Sequence, residues 1–324
     1  MANIAITGGL GFIGTNLIKK LIMRGCSVRV VDNLTAVGTS LFEAAGLALS
    51  EKPHTTWKKN AIQLAVSGLD DTRVLNEWLV GADAVVHLAA NTGVQASLAS
   101  PLIDFESNAL GTLNVLEAAR KLNIKTFVFA SSGAPMGNQE PPFSEMSLPK
   151  PASPYGASKL SGEAYCQAYS YSFGLNTFVL RFSNVYGPHS AHKESVVASF
   201  CKAVKAGMPI QLNGGGQQSR DFLYVEDLCE AVIACLESRL VGSQIFQISS
   251  GKETTIRSLA VLVEAVAAEL GLPSPSVIDA PQLAVDVERN FANNERAKRR
   301  LNWEPETELR VGLTSTMRYF LDAK

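Results

Sequence analysis

The chain has 324 residues, 46% hydrophobic and 18% charged, with 29 Lys and Arg against 30 Asp and Glu for a formal net charge of −1. That length fits two domains of about 150 residues, or one large α/β unit with an appended lobe. No basic run exceeds Lys298-Arg299-Arg300, which argues against neutralising phosphate backbones as the protein's work, so nucleic acid is not an expected partner.

Residues 3–6 form a compact apolar strand, followed by a glycine turn. Residues 15–24 then place Leu17, Ile18, Leu21 and Ile22 on one helical face, Gly25 stops the helix, and residues 27–31 form a second strand. Further strand-like runs occupy 84–88, 126–130 and 176–180, with helical patterns at 72–79, 108–122 and 153–173 between them. Strands buried on both faces and separated by helices predict a doubly wound parallel α/β sheet of the Rossmann type. Residues 35–57 read as a loop with a short helix. After residue 181 turns such as Tyr186-Gly187-Pro188 and Asn213-Gly214-Gly215-Gly216 alternate with helices at 195–205, 225–237 and 255–270. The expected division is a dinucleotide-binding domain over 1–180, to which about 221–240 return, and a smaller discontinuous lobe over 181–324.

The five cysteines (Cys26, Cys166, Cys201, Cys229, Cys235) are odd in number and lack CxxC spacing, and the four histidines form no ligand cluster. A disulfide framework and a metal site are both unexpected. No basic n-region precedes an apolar segment at the start, and no apolar run reaches the ~18 residues of a membrane span. A cytoplasmic protein with no membrane partner is expected.

The run Thr7-Gly8-Gly9-Leu10-Gly11-Phe12-Ile13-Gly14 joins the first strand to the first helix. Gly8 suits a tight turn, Gly11 a close approach of backbone to a pyrophosphate, and Gly14 close packing of helix on sheet; the helix amino terminus then faces the phosphates. The spacing is GxxGxxG, and alone it is equally an ordinary turn. Asp32 ends the second strand 18 residues after Gly14, where a carboxylate accepts from adenosine ribose hydroxyls and repels a 2′-phosphate. Asn33 follows without a compensating arginine, so NAD is expected over NADP.

Further along come His87-Leu88-Ala89-Ala90, Asn108 ahead of Gly111-Thr112, Ser131-Ser132 and Tyr155-Gly156-Ala157-Ser158-Lys159. They are followed by Arg181-Phe182-Ser183-Asn184-Val185-Tyr186-Gly187-Pro188 and Ser219-Arg220-Asp221-Phe222. With the glycine turn, and over nearly the whole length, these motifs resemble the extended short-chain dehydrogenase/reductases of the nucleotide-sugar epimerase/dehydratase family, most of all the UDP-glucose 4-epimerase-like enzymes. The resemblance implies NAD contacts from Gly8, Gly11, Phe12, Ile13, Gly14, Asp32, Asn33, Leu88, Ala89, Ala90, Asn108, Tyr155 and Lys159. Asp70 is the candidate to replace a family Asp that reaches the adenine.

Tyr155 and Lys159 lie one helical turn apart. An ammonium ~5 Å from a phenol contributes about 3 kcal/mol at an effective dielectric of 20, enough to favour phenolate by roughly two pKa units. The resemblance makes Tyr155 the base, Lys159 its partner and Ser132 the third catalytic group, with Ser131 beside it as a substrate contact. Dehydratases of this family carry an acid and a base directly after the Ser, because eliminating water needs both. Gly133 and Ala134 stand there, so elimination is not expected, and oxidation at carbon 4 with return of the hydride to the opposite face remains: a 4-epimerase, on a UDP-hexose or derivative.

Asn184, Arg220 and Asp286 match positions near the substrate's diphosphate, although Leu283 and Val285 replace the family's arginine and glycine beside that Asp. Asn290 stands where a bulky aromatic closes the pocket of enzymes restricted to plain hexoses, which leaves room for an N-acetyl group. Lys193 could meet a carboxylate, which keeps a UDP-glucuronate 4-epimerase or decarboxylase open, beside a keto-sugar reductase and a catalytically idle nucleotide-binding protein. The family's pairing of its two long helices, with Ala157, Leu160, Ala164, Tyr165 and Ala168 spread around the second, implies a homodimer.

Overall fold

The structure is a computed structural model that describes residues 2–36, 38–50, 56–59, 61–281 and 287–322. In its first half strands β1 (Asn3–Thr7), β2 (Ser27–Asp32), β3 (Leu49–Ser50), β4 (Ile62–Val66), β5 (Ala84–His87), β6 (Thr126–Ser132) and β7 (Asn176–Phe182) alternate with helices. These are α1 (Phe12–Met23), α2 (Ser40–Ala44), α3 (Thr72–Leu79), α4 (Val94–Ala99), α5 (Pro101–Asp104), α6 (Gly111–Lys121) and α7 (Pro154–Phe173). The second half contributes β8 (Asn184–Tyr186), α8 (Val196–Ala206), β9 (Ile210–Asn213), β10 (Ser219–Arg220), β11 (Phe222–Tyr224) and α9 (Val225–Glu237). It ends with β12 (Ser243–Ile248), β13 (Thr254–Thr255), α10 (Ile256–Glu269), β14 (Val277–Ala280), β15 (Arg289–Asn290), α11 (Glu295–Leu301) and α12 (Leu309–Asp322).

An eight-stranded sheet in the order β12-β7-β6-β5-β1-β2-β4-β3 forms the centre, and every pairing in it is parallel. Side chains alternate between its faces as a strand's period of two demands. Ile4, Ile6, Val28, Val30, Val86 and Val128 pack toward Leu17 and Leu21 of α1 and Leu228 and Val232 of α9. Ala5, Val31, Val85, Phe127 and Phe129 pack toward α3, α6 and α7. The chain leaves β1 toward β2 and later returns to β1's other side with β5. That reversal opens a crevice at the carboxyl ends of β1 and β5, the usual ligand position in such sheets.

The second core joins α8, α10 and α12 through Phe200, Leu259, Val263, Leu313 and Met317. Beside it, β10 pairs with β13 and β15 in one small sheet and β8 with β11 in another.

Three features depart from the sequence pattern. Strand β4 had no expected counterpart: its Gln63 is a polar residue in a buried position, tolerated because Arg29 Nε donates to Gln63 Oε1 at 3.2 Å and the guanidinium lies 4.4 Å from the Trp57 ring. The predicted helix over 108–122 divides into a π-helical turn, Phe105–Leu110, and α6, so Asn108 sits within the turn. The chain's return to the first core runs well past residue 240. It includes β12 at the sheet edge, then Ala297 and Trp303, whose Nε1 donates to Asp227 O at 2.9 Å.

Candidate active site

The glycine turn closes β1 onto α1. Gly8 has φ +69°, and a Cβ there would lie 2.6 Å from the Ala89 backbone; a Cβ on Gly14 would lie 2.4 Å from Gly9 O. Any larger residue would push the turn off the sheet or the helix off the turn. Gly11 is the N-cap of α1, whose first turn has no capping side chain and no acid. The backbone N–H groups of Phe12, Ile13 and Gly14 therefore present a positive helix end to the crevice. Asp32 is fixed by two backbone donors, Leu10 N to Oδ2 at 3.0 Å and Leu34 N to Oδ1 at 2.9 Å. Each oxygen keeps a lone pair that can accept a ribose hydroxyl. Asn33 folds back on its own loop, accepting from Thr35 N and Oγ1. Asp70 is exposed after β4, while its neighbour Asp71 caps α3 by accepting from Arg73 N and Val74 N. The turn, the helix end and the anchored carboxylate fit a dinucleotide.

The opposite side of this cradle is the loop Leu88-Ala89-Ala90-Asn91, held by a buried chain of hydrogen bonds. Thr112 Oγ1 donates to Asn108 O at 2.5 Å, so it accepts from His87 Nε2–H at 2.9 Å, and His87 Nδ1 accepts from Thr7 Oγ1 at 2.6 Å. The ring is thereby held as one neutral tautomer. Burial, and secondarily the Lys159 charge, push His87 down to about 3. Asn108 Oδ1 accepts from Asn91 N at 2.8 Å, and its Nδ2 donates to Asn91 O at 2.9 Å and to Asp104 Oδ1 at 2.8 Å. Asn108 was expected to touch the cofactor; its side chain is buried and occupied in shaping the loop.

Ser153 caps α7 by accepting from Gly156 N at 3.1 Å, which sets Tyr155 and Lys159 on the helix's first turns beside the end of β6. Lys159 is buried and its Nζ donates to Ala130 O at 2.9 Å, 6.0 Å from the centroid of the Tyr155 ring. Ser132 Oγ accepts from Ala134 N at 3.1 Å at the end of β6. Burial pushes Tyr155 up to about 12, the neighbouring Ser132 hydroxyl opposes the rise, and the Asp104 charge adds to it. Burial also pushes Lys159 down to about 8 against the pull of Asp104 and Glu163. The expected lowering of the phenol by its lysine is not what burial gives: in the protein alone the phenol is raised, and desolvation is the largest cause.

Ser131 takes a different position from its neighbour, because consecutive strand residues face opposite sides. It is buried, and its Oγ donates to Glu163 Oε1 at 2.5 Å. Glu163 also pairs with Arg181, Nη2 to Oε2 at 2.7 Å, and both side chains are buried. Ser131 therefore belongs to the support behind α7 and not to the cleft. Glu163, one helical turn after Lys159, went unnoticed in the sequence although the stripe Tyr155, Lys159, Glu163 is readable there. Asp104, four residues before Asn108, was missed likewise.

Of the substrate-side candidates, Asn184 has an exposed side chain on β8, anchored by its backbone N donating to Asp221 O at 2.9 Å. Asp221 is buried and accepts from Ser250 N at 2.7 Å and Gly251 N at 2.9 Å, which locks the loop after β12. Arg220 Nη1 donates to Ser219 O at 2.7 Å and to Val287 O at 2.6 Å. In the same small sheet Arg220 is the register partner of Asn290, whose Oδ1 would lie 3.3 Å from a Cβ on Gly133. Asn290 therefore stands directly over the residue after Ser132. Lys193 reaches Thr92 Oγ1 with its Nζ at 3.1 Å. Asp286 lies outside the described residues. Among the described residues no group of three His, Cys, Asp or Glu could hold a metal ion.

The model of the NAD dependent epimerase/dehydratase family matches residues 4–249. A putative UDP-glucose 4-epimerase of Methanocaldococcus jannaschii is 33% identical over 315 residues, covering 96% of this chain and 95% of its own. A UDP-glucuronate 4-epimerase of Thermodesulfobacterium geofontis is 32% identical over 319 residues, covering 97% and 94%. Among solved structures, the Thermus thermophilus UDP-glucose 4-epimerase in complex with NAD superposes with a TM-score of 0.83 at 32% identity, covering 99% of this chain and 100% of that one.

Proposed function

Because the chain belongs to the NAD dependent epimerase/dehydratase family, we propose that it is a 4-epimerase of UDP-hexoses or close derivatives, acting by transient oxidation at carbon 4. The observation that carries this reading is the trio Ser132, Tyr155 and Lys159 beside a dinucleotide cradle, followed by Gly133 and Ala134, which cannot titrate. Relatives that are UDP-glucose and UDP-glucuronate 4-epimerases support it.

The first turn of α1, Asp32, the Leu88-Ala89-Ala90 loop and Lys159 would hold NAD, which supplies the oxidising and reducing power for carbon 4 and a positively charged ring. Tyr155 takes the proton of the carbon-4 hydroxyl and later returns it, and Ser132 shares that hydrogen bond. Lys159, fixed by Ala130 O, contributes positive charge that favours the phenolate. No acid or base follows Ser132 for a neighbouring carbon–hydrogen bond, so the keto-sugar keeps its remaining hydroxyls. Asn184 and Arg220 serve the diphosphate, and Asn290 borders the hexose.

Incubating the purified protein with a panel of nucleotide sugars tests the reading. Inversion at carbon 4 is expected, with NAD released on denaturation and no net NADH. Accumulating NADH or released carbon dioxide would identify another chemistry, and binding without turnover an idle protein.

A homodimer is supported by an apolar face. Leu102 (77% exposed), Ile103 (55%) and Phe105 (56%) flank exposed Ala157, Ala164, Tyr165 and Ala168 of α7, more apolar surface than a lone helix pair ordinarily shows water. Light scattering at micromolar concentration should give twice the chain mass; a monomer would contradict it. A cytoplasmic location is supported by five free cysteines, and no described helix is long and apolar enough to cross a membrane.

A further inference from the structure

Lys193 lies in the turn between β8 and α8, and that turn is tied down on several sides. Asn16 Nδ2 of α1 donates to Pro188 O at 3.1 Å, Ser190 Oγ donates to Gly187 O at 2.6 Å, and Lys193 N donates to Ser190 O at 2.9 Å. From there the Lys193 side chain crosses to the loop after β5, whose Asn91 is clamped by Asn108, and meets Thr92 Oγ1 at 3.1 Å. The ammonium thus bridges two walls of the cleft and rests on a neutral hydroxyl.

The Lys193 ammonium has no ion-pair partner among the described residues, Glu194 beside it in the chain included. Lys202 Nζ donates to Lys193 O at 2.7 Å, and His192 stands next in the chain with a buried Nδ1 that has no hydrogen-bond partner. Among the described residues no carboxylate lies within ion-pair distance of Lys193 or Lys202. Burial pushes Lys193 down, and pushes His192 down to about 4 with help from both lysines. A half-buried ammonium with no opposite charge is costly, and an arriving anion would relieve that cost.

We propose that Lys193 is an oxyanion-binding residue of the substrate cleft, exchanging Thr92 for a carboxylate on the hexose or a phosphate oxygen of the diphosphate. The inference rests on the nucleotide-sugar reading above and adds a cation to the groups that reading assigns. Arg220, whose Nη1 donates to two backbone carbonyls, serves from the other small sheet; Lys193 approaches from the turn over α1.

Calorimetric titration of the NAD-loaded protein with UDP-glucose and UDP-glucuronate decides it. Lys193→Met should weaken binding about tenfold or more, as expected for a charge-assisted hydrogen bond, and Lys193→Arg should restore it to within about threefold of wild type. A loss confined to UDP-glucuronate assigns the carboxylate, and an equal loss for both sugars assigns the diphosphate. Unchanged binding in Lys193→Met, or a loss that Lys193→Arg does not restore, overturns the inference and leaves the epimerase reading standing. Loss of NAD retention with UDP-sugar affinity intact also overturns it. Failure of the wild type to bind either sugar would overturn both readings.

Discussion

The cofactor wall of the cleft, from Thr7 to Asn108, is made almost wholly of backbone groups and buried hydrogen bonds. On the substrate wall, Asn184, Lys193, Arg220 and Asn290 come from short segments far apart in the chain and present exposed or half-buried side chains. On the first wall each residue is fixed by a partner that is itself fixed: Thr7 by His87, His87 by Thr112, Thr112 by Asn108. On the second, two-residue strands such as β10 and β15 hold the register, and the Arg220 and Asn290 side chains they carry stand half-buried over the cleft. The difference teaches that the chemistry common to the fold is carried by a rigid frame, and choice among sugars by groups that can change without disturbing it.

The strongest way to break this comparison is at the junction of the walls. Tyr155→Phe removes the proton acceptor and should lower kcat by about 10³, within the range for general acid–base catalysis, while cofactor content stays near wild type. A loss of less than about tenfold, measured on enzyme of verified NAD content, would mean that another group moves the proton.

Rigidity of the cofactor wall is tested next. Gly8→Ala forces a Cβ into the left-handed region and to 2.6 Å from the Ala89 backbone. It should cost about 2–4 kcal/mol of stability and deplete bound NAD. Chemical denaturation and cofactor assay of the purified variant check it; full NAD occupancy would show that the wall yields.

An effect that is smaller for each pH unit follows from His87. Its folded pKa lies at about 3 against an ordinary 6.5, so below 6.5 the unfolded chain binds a proton that the folded one refuses. Stability should therefore fall as pH drops from 6.5 toward 3, by about 1.4 kcal/mol per pH unit from this residue. His192 and His189, also lowered by burial, add to the wild-type slope. In urea melts across that range His87→Gln should flatten the slope by about one proton; an unaltered slope would mean that His87 titrates normally.

The smallest effect lies on the substrate wall. Asn290→Tyr should lower kcat/KM for UDP-N-acetylglucosamine relative to UDP-glucose by a factor of about ten, with little change in melting temperature. Equal loss on both sugars would remove Asn290 from the selection of substituents.

Much of the cofactor wall was legible in the sequence because it depends on local patterns: a glycine turn after a strand, an acid at the end of the next strand, and Tyr155 and Lys159 on one helical face. What escaped was non-local. Strand β4 was hidden because Gln63 reads as exposed until Arg29, itself flanked by Trp57 and Trp78, reaches it. Asn108 reads as a helix start, but the π-helical turn swings it onto Asn91. Ser131 and Ser132 are neighbours in sequence and opposites in space, and only the partner Glu163 tells them apart. Charge arguments suffered similarly: the four-residue spacing of Tyr155 and Lys159 is readable in the sequence, but not the desolvation that raises the buried phenol.

The most direct measurement is the approach to equilibrium from both sides, following UDP-glucose and UDP-galactose separately by proton NMR with wild-type protein and no added cofactor. Both reactions should converge on one ratio of the two sugars, with NAD held throughout and no NADH released. Persistence of each sugar unchanged, or a product retaining its carbon-4 configuration, would contradict epimerisation at that carbon.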